Sequence, residues 1–408
     1  LMQTRLVDSI KQTEAGKQAD EILRRCVHCG FCNATCPTFQ VTGDELDGPR
    51  GRIYLIKQAL EGGRLGKETQ LHLDRCLQCR ACETTCPSGV QYSTLLRVGQ
   101  KIINKKLGRP FFARTLRKLL CFVFLRPGLF KFFLRTGQFF KPLMPGKLGR
   151  KIPRRQNIQI ITKTNKHKRN VILLDGCVQQ SATPATNAAT IRVLDHLGIR
   201  TVRVPNVKCC AAIPAHLDAP DQARLMIKHN IDAWWPLIDD NTEAILSTAS
   251  GCGLMISEYA DYLVGDAEYL DKAKKIKLLN KDLSEILTAE NISKKIITKK
   301  NKFVSYHAPC TQQHGLAING LVESILKAAG YRLTTIHDSH LCCGSAGTYS
   351  ITQPALSQTL LNNKIQNLTI DQPEMVATAN VGCQLHLQTA TKLPVVHWVE
   401  LIEPILTH

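Results

Sequence analysis

Between Glu83 and Asp175 the sequence contains no aspartate or glutamate, while the 21 lysines and arginines from Arg97 to Arg169 stand in the same stretch. This one-sided block accounts for essentially all of the formal net charge of +20 carried by 408 residues, and leaves the remainder close to neutral. Long apolar runs are missing as well. The best of them, Leu119 to Leu125, is cut off by Arg126 and again by Lys131, far short of the roughly 18–20 residues that a membrane-spanning helix needs. The first twenty-five residues, Leu1 to Arg25, are polar and mixed in charge, with no apolar core of a secretory leader. A reducing, cytosolic compartment is therefore expected, in which cysteines serve as metal ligands rather than disulfides. No Gly-x-Gly-x-x-Gly follows a strand-like run, so the chain is not expected to bind a flavin or nicotinamide itself.

Cysteine, by contrast, is abundant at 17 residues. Eight of them form two copies of C-x2-C-x2-C-x3-C-P: Cys26, Cys29, Cys32, Cys36 with Pro37, and Cys76, Cys79, Cys82, Cys86 with Pro87. Three closely spaced thiolates on one loop can hold three irons of a cubane. The fourth follows a three-residue step and points toward the other cluster. The expected sets are thus Cys26, Cys29, Cys32 with Cys86, and Cys76, Cys79, Cys82 with Cys36. A zinc site needs only four tetrahedral ligands, usually two separated pairs. Eight cysteines in this duplicated order imply two 4Fe-4S clusters and an electron carrier.

The acid-free block also holds nine of the twelve phenylalanines, among them Phe111, Phe112, Phe132, Phe133, Phe139 and Phe140. Two readings stay open: a helical hairpin packed on a core with a solvated basic face, or a basic-aromatic surface lying on an anionic bilayer. Nucleic acid is not expected, because apolar pairs between the charges suit a lipid interface and no nucleic-acid module is present.

The second half contains an internal repeat. The run Val171 to Cys177 is matched by Phe303 to Cys310, and the paired cysteines Cys209-Cys210 and Cys342-Cys343 each begin 32 positions after the first cysteine. Each copy then ends in a strand-like run into Gly-Cys, at Cys252 and at Cys383. Apolar runs alternate with helical periods: a strand over Val171–Leu174, a helix over Asn187–Leu197, a strand over Ile199–Val204, a helix over Gln222–Trp235, and in the second copy a helix over Leu321–Ala329. This alternation predicts parallel sheets with the cysteines just past the carboxyl ends of strands, where open α/β sheets hold ligands.

The cysteine pattern, with the stretches His28–Arg52, Asn230–Pro236 and Asp338–Tyr349, resembles proteins that carry a duplicated cysteine-rich domain behind a two-cluster ferredoxin motif. These include heterodisulfide reductase subunits, the anaerobic glycerol-3-phosphate dehydrogenase C subunit and, most similar of all, glycolate oxidase iron–sulfur subunits. The resemblance runs over essentially the whole chain. It implies an electron-transfer subunit of a flavin-dependent glycolate (2-hydroxy acid) oxidase. FAD and the substrate-oxidising site would lie on flavoprotein partner subunits, a quinone or other membrane acceptor would take the electrons, and the complex would sit against the inner face of the cell membrane. No catalytic residue is expected on this chain. The rival is a thiol–disulfide catalyst of the heterodisulfide reductase type.

Against that rival, the first cysteine of the terminal C-x-x-C is replaced by Ala249 in one copy and Asn380 in the other, and Ala211 stands where the second copy has Gly344. Four cysteines per copy remain, Cys177, Cys209, Cys210, Cys252 and Cys310, Cys342, Cys343, Cys383, enough for a third cluster or for zinc. The expected fold is α+β and multidomain: a helical two-cluster domain over 1–104, a basic aromatic helical segment over 105–169, and α/β cysteine-rich repeats over 170–300 and 301–408. His28, His307, His314, His340 and His386 lie near cysteines but read as structural histidines, and Cys121 as a small apolar residue. Arg50 and Arg52, in Gly48–Arg52, are expected to turn the chain and bring positive charge near a cluster.

Overall fold

A computed structural model describes residues 2–156, 158, 167–296 and 300–406; the remainder of the expected basic segment, from 157 to 166 apart from 158, lies outside them. The chain divides into two compact units, Leu1–Lys118 with His340–Lys364, and Leu119–Ser339 with Ile365–His408. The segment that carries Cys342 and Cys343 packs with the N-terminal unit, the expected basic segment is divided between the two units, and most of both repeats falls in the second.

The first unit is helical. Thr13 caps the helix Glu14–Arg25 by accepting from the Gly16 amide, and Pro49 opens the helix Pro49–Leu60, where its missing N–H costs nothing. These two helices bury Ile22, Leu23, Ile53, Ile56 and Leu60 together with Leu95, Leu96 and Ile103 of the helix Tyr92–Leu107. The cysteine loops emerge at the ends of this frame.

The second unit holds two four-stranded sheets, all parallel. The strands β1 (Arg169–Leu174), β2 (Ile199–Arg203), β3 (Thr242–Ser247) and β4 (Asn280–Lys281) are ordered β2-β1-β3-β4. Strands β5 (Phe303–His307), β6 (Arg332–Leu333), β7 (Met375–Thr378) and β8 (Val395–His397) repeat that order as β6-β5-β7-β8. The expected elements are present with ends moved by up to three residues: the helices are Pro184–His196, Pro220–Trp234 and Leu321–Ala328. Prolines at the first positions of two of them extend their starts.

One apolar core serves both sheets, with Val171, Leu173 and Leu246 from the first copy against Val304, Tyr306 and Trp398 from the second. Polar ties accompany it. The Ser250 amide donates to the Ala379 carbonyl at 3.1 Å, and Thr186 donates to Glu400 at 2.6 Å. His397 Nε2 donates to the Thr248 carbonyl at 2.9 Å while its Nδ1 accepts from the Val399 amide at 3.2 Å.

The helices Phe111–Phe124 and Pro127–Phe140 form the basic aromatic segment. Only Leu120 and Cys121 of the first are buried, beside Leu217, and no residue of the second is buried. Phe112, Phe132, Phe133 and Phe139 are 84%, 62%, 51% and 78% exposed. The segment rests on the second unit through Leu120, Cys121, Phe124 and Leu125, beside Leu217 and Ile213, and leaves most of its phenylalanines exposed. No described helix is long and apolar enough to cross a membrane.

Burial holds His397 neutral with its pKa lowered to about 3, and both ring nitrogens are already committed in the neutral form. The unfolded chain takes up that proton near 6.5. Stability from His397 is therefore complete above about pH 6.5 and is lost as pH falls toward 3. Chemical denaturation at stepped pH is expected to show a decline over this window that is shallower in His397→Gln.

Candidate iron–sulfur and thiol sites

All eight cysteines of the duplicated motif lie in the first unit, and they gather in two groups around two cavities. One cavity is lined by Cys26, Cys29, Cys32 and Cys86. The other is lined by Cys36, Cys76, Cys79 and Cys82. The grouping is the crossed one, each motif sending its fourth cysteine to the other's cavity. Pro49, Cys82 and Tyr92 line both, so the two cavities share a wall.

Loop geometry explains how three close cysteines can face one centre. His28 and Gly30 in the first motif, and Gln78 and Arg80 at the equivalent places in the second, all take left-handed backbone conformations. These turns aim amides inward, as the Gln78 N–H does toward Cys76 Sγ at 3.4 Å. Short helices Phe31–Ala34 and Ala81–Thr84 follow and carry Cys32 and Cys82. None of the cysteines is in a disulfide. Burial pushes the Cys26, Cys76 and Cys82 thiols up, and Cys32 up to about 11, so these groups are protonated near neutrality and must shed protons to a metal that binds them. The Tyr92 hydroxyl is buried on the shared wall and faces the Cys76 thiol, its hydrogen-bonding neighbour. Four convergent thiols at each cavity, none of them in a disulfide, fit a sulfur-rich cluster.

Charge around the two cavities is unequal. Arg50 faces the first from the rim, bonded to Glu45 at 2.6 Å, and both side chains are substantially exposed. Arg52 faces the second and is 1% exposed. Burial alone would lower its pKa, but the Asp47 carboxylate beside it keeps the guanidinium charged. Its Nε donates to the His72 carbonyl at 2.7 Å and its NH2 to Thr38 Oγ1 at 3.1 Å. Asp47, fully buried, bonds His72 Nδ1 at 2.8 Å and Arg75 NH1 at 2.7 Å. Sequence reasoning pointed to Arg50 and Arg52 but missed Asp47, His72, Arg75 and Tyr92, whose spacings match no motif.

In the second unit the first repeat assembles four thiols past the carboxyl ends of three adjacent strands: Cys177 after β1, Cys209 and Cys210 after β2, and Cys252 after β3. Cys177 Sγ donates to Cys209 Sγ at 3.4 Å, and Cys210 is hydrogen-bonded to Cys209 and Cys252. Cys177 and Cys210 press their protons on Cys209, which is drawn toward the thiolate. Two residues unseen as functional clamp the paired cysteines. Asn230 donates to the Cys209 carbonyl at 3.0 Å and Tyr259 to the Cys210 carbonyl at 3.2 Å.

Of the second repeat, Cys310 and Cys383 belong to the second unit, where Asn380 Nδ2 reaches Cys383 Sγ at 3.7 Å. Cys342 and Cys343, both buried, belong to the first. Ala249 and Asn380 stand just before the first residues of the helices bearing Cys252 and Cys383, so the missing fifth cysteine of each copy would stand at a helix start. Among the histidines near cysteines, His307 is buried.

Ala211 follows Cys210 with φ +78° and is fully buried, the same left-handed turn that Gly344 makes with φ +85°. The alanine accepts the strain rather than the turn being lost. A Cβ on Gly344 would lie 2.7 Å from the Ser357 carbonyl oxygen. Ala211→Gly is expected to stabilise the protein by about 1 kcal/mol, and Gly344→Ala to destabilise it by about 2 kcal/mol or more, both read from chemical denaturation.

Comparison with known proteins agrees with this arrangement. The 4Fe-4S dicluster domain family matches residues 22–90, and the cysteine-rich domain family matches twice, at 171–257 and 304–388. The glycolate oxidase iron-sulfur subunit of Escherichia coli is 48% identical over 99% of both chains. A probable glycolate oxidase iron-sulfur subunit of Bacillus subtilis is 27% identical, covering 92% of this chain and 91% of that one. A hypothetical protein from Helicobacter pylori has a similar fold, with a TM-score of 0.55 at 8% identity over 97% of this chain and 73% of that one. With a dicluster domain, two cysteine-rich domains and a full-length relative at this identity, the chain belongs to the glycolate oxidase iron–sulfur subunit family.

Proposed function

We propose that the protein is the electron-transfer subunit of a flavin-dependent glycolate oxidase and holds two 4Fe-4S clusters, one on Cys26, Cys29, Cys32 and Cys86, the other on Cys36, Cys76, Cys79 and Cys82. The grouping of those eight cysteines around two cavities with a common wall carries this reading. Such clusters supply one-electron steps and leave the hydride chemistry to another cofactor. A flavoprotein partner, with FAD, oxidises glycolate to glyoxylate, and a quinone or another membrane acceptor receives the electrons.

The chain's own part is to hold, insulate and tune. Raised thiols release their protons on metal binding, the left-handed loops aim amides at the sulfurs, and the helical frame keeps bulk water from the shared wall. The four-thiol constellation of the first repeat holds zinc or a third cluster. A heterodisulfide-type catalyst is disfavoured by Ala249 and Asn380 at the positions of the fifth cysteine.

Membrane association on the inner face belongs to the same reading. Exposed phenylalanines interleaved with unopposed cations suit an anionic lipid surface. Arg109 and Arg117 are already taken by Asp74, at 2.6 Å and 3.1 Å, which leaves Arg114, Lys118 and Lys131 at the surface.

Purified with its flavoprotein partner, the chain is expected to carry about eight irons from the two clusters, or about twelve if the repeats hold a third, and to couple 2-hydroxy acid oxidation to an artificial acceptor. Cys36→Ser is expected to damage the cluster of Cys76, Cys79 and Cys82. Loss of only the other cluster's spectrum would overturn the crossed assignment.

Binding to anionic liposomes is expected to weaken with added salt and in Arg114→Gln/Lys118→Gln/Lys131→Gln. Phe132→Ser/Phe133→Ser should weaken it at every salt concentration, and binding indifferent to all of these changes would remove the lipid contact.

A further inference from the structure

The two cluster sites are built into unlike electrostatic surroundings, although their cysteine motifs are duplicates. At the first, the nearby cation Arg50 is neutralised by Glu45, and the pair is open to solvent and its ions, so its field at the site is weak. At the second, two cations, Arg52 and Arg75, share one anion, Asp47. Arg52 and Asp47 are 1% and 0% exposed and Arg75 is 29% exposed. Arg80 on the cavity lining and Glu83 beside Cys82 add one charge of each sign, so one positive charge is left uncompensated in a largely buried region where water screens it weakly.

Reduction adds a negative charge to a cluster, and net charge is one of the levers that set its potential. Desolvation opposes reduction at both sites, since each has cysteines buried to less than a tenth of their surface, Cys26 at one and Cys36 and Cys82 at the other. The surplus cation acts on one alone.

Resting on the two-cluster reading above, the geometry points to an ordered pair: the site of Cys36, Cys76, Cys79 and Cys82 takes the electron in preference to that of Cys26, Cys29, Cys32 and Cys86, because the network of buried Arg52 and Asp47 with half-buried Arg75 holds it at the higher potential. In the step this implies, one electron leaves the first site, which is oxidised by one unit, and the second is reduced by one unit, with no proton or ligand exchanged. Reduced flavin on the partner is the donor, two such steps emptying it, and a quinone is the final acceptor.

Exposure runs in the matching direction. Cys29 is exposed and its neighbours Val27 and Phe31 are 51% and 62% exposed, an open rim for a donor. The second site is backed by protein. Tyr349, from the same segment as Cys342 and Cys343, donates its hydroxyl to the Arg75 carbonyl at 2.9 Å, next to Cys76. Both Cys76 and Cys342 are near enough to help raise the Tyr349 pKa, after burial.

The test is a potentiometric titration of the full-length, cluster-loaded chain followed by electron paramagnetic resonance, with Cys29→Ser marking the first site's signal. The unmarked signal is expected to appear first. Arg75→Gln removes the surplus charge and should move the electron partition toward the first site by about tenfold, a shift of ~59 mV for a one-electron couple. Arg75→Lys should restore it, and Asp47→Asn should shift it the opposite way. Such sign reversal is not what a merely structural role produces. If Asp47→Asn does not fold, the Arg75→Gln and Arg75→Lys pair decides alone. Reduction of the marked site first, or equal movement of both midpoints in Arg75→Gln, overturns the ordering while leaving two clusters in place. Absence of two 4Fe-4S signals in the wild type overturns the function reading and the ordering with it.

Discussion

Four sulfurs have to point at one centre, and a loop of the form Cys-x-x-Cys-x-x-Cys turns only three of them inward. The need for a fourth from elsewhere shapes the whole first unit. Cys86 and Cys36 cross between motifs, so neither cavity can be completed by its own segment. The helices between the motifs, Pro49–Leu60 and Lys67–Asp74, are correspondingly fixed in length and packing, because they hold the two loops at the separation the crossing demands. Left-handed turns at His28, Gly30, Gln78 and Arg80 follow from the same demand.

Those connecting helices also carry charge into the interior. A buried guanidinium such as that of Arg52 is costly unless it is paired and hydrogen-bonded, and it is satisfied by the His72 carbonyl, Thr38 and Asp47. Thr38 in turn donates to the Asp47 carbonyl at 2.8 Å and lies 3.3 Å from Cys36 Sγ. The network that holds this charge therefore reaches a candidate ligand directly. Packing, ligand position and electrostatics are one structure here.

The candidate ligands were legible in the sequence because a metal dictates both residue type and spacing. The sheets were legible because parallel strands buried on both faces read as short apolar runs such as Val171–Leu174, and Pro184 and Pro220 account for the shifted helix starts. Residues chosen only by three-dimensional proximity were not legible. Asp47 and His72 are 25 positions apart, and Asn230 and Tyr259 meet the Cys209–Cys210 backbone from distant helices. Ala211 stands where the second copy has Gly344, and the surrounding fold imposes the same left-handed turn on both. The phenylalanine-rich segment remained ambiguous because its periodicity describes an amphipathic helix without saying what covers the apolar face.

The first unit is discontinuous along the chain, since it is closed by His340–Lys364. During synthesis the eight dicluster cysteines leave the ribosome more than two hundred residues before the segment bearing Tyr349, which seats its hydroxyl behind Cys76 on the Arg75 carbonyl. A nascent chain thus offers metal-ready loops in a unit that cannot yet close, and loop closure over such a span is slow. The order of loop emergence and closure is a property of the chain's connectivity, set by where residue 340 falls rather than by any residue in the cysteine motifs.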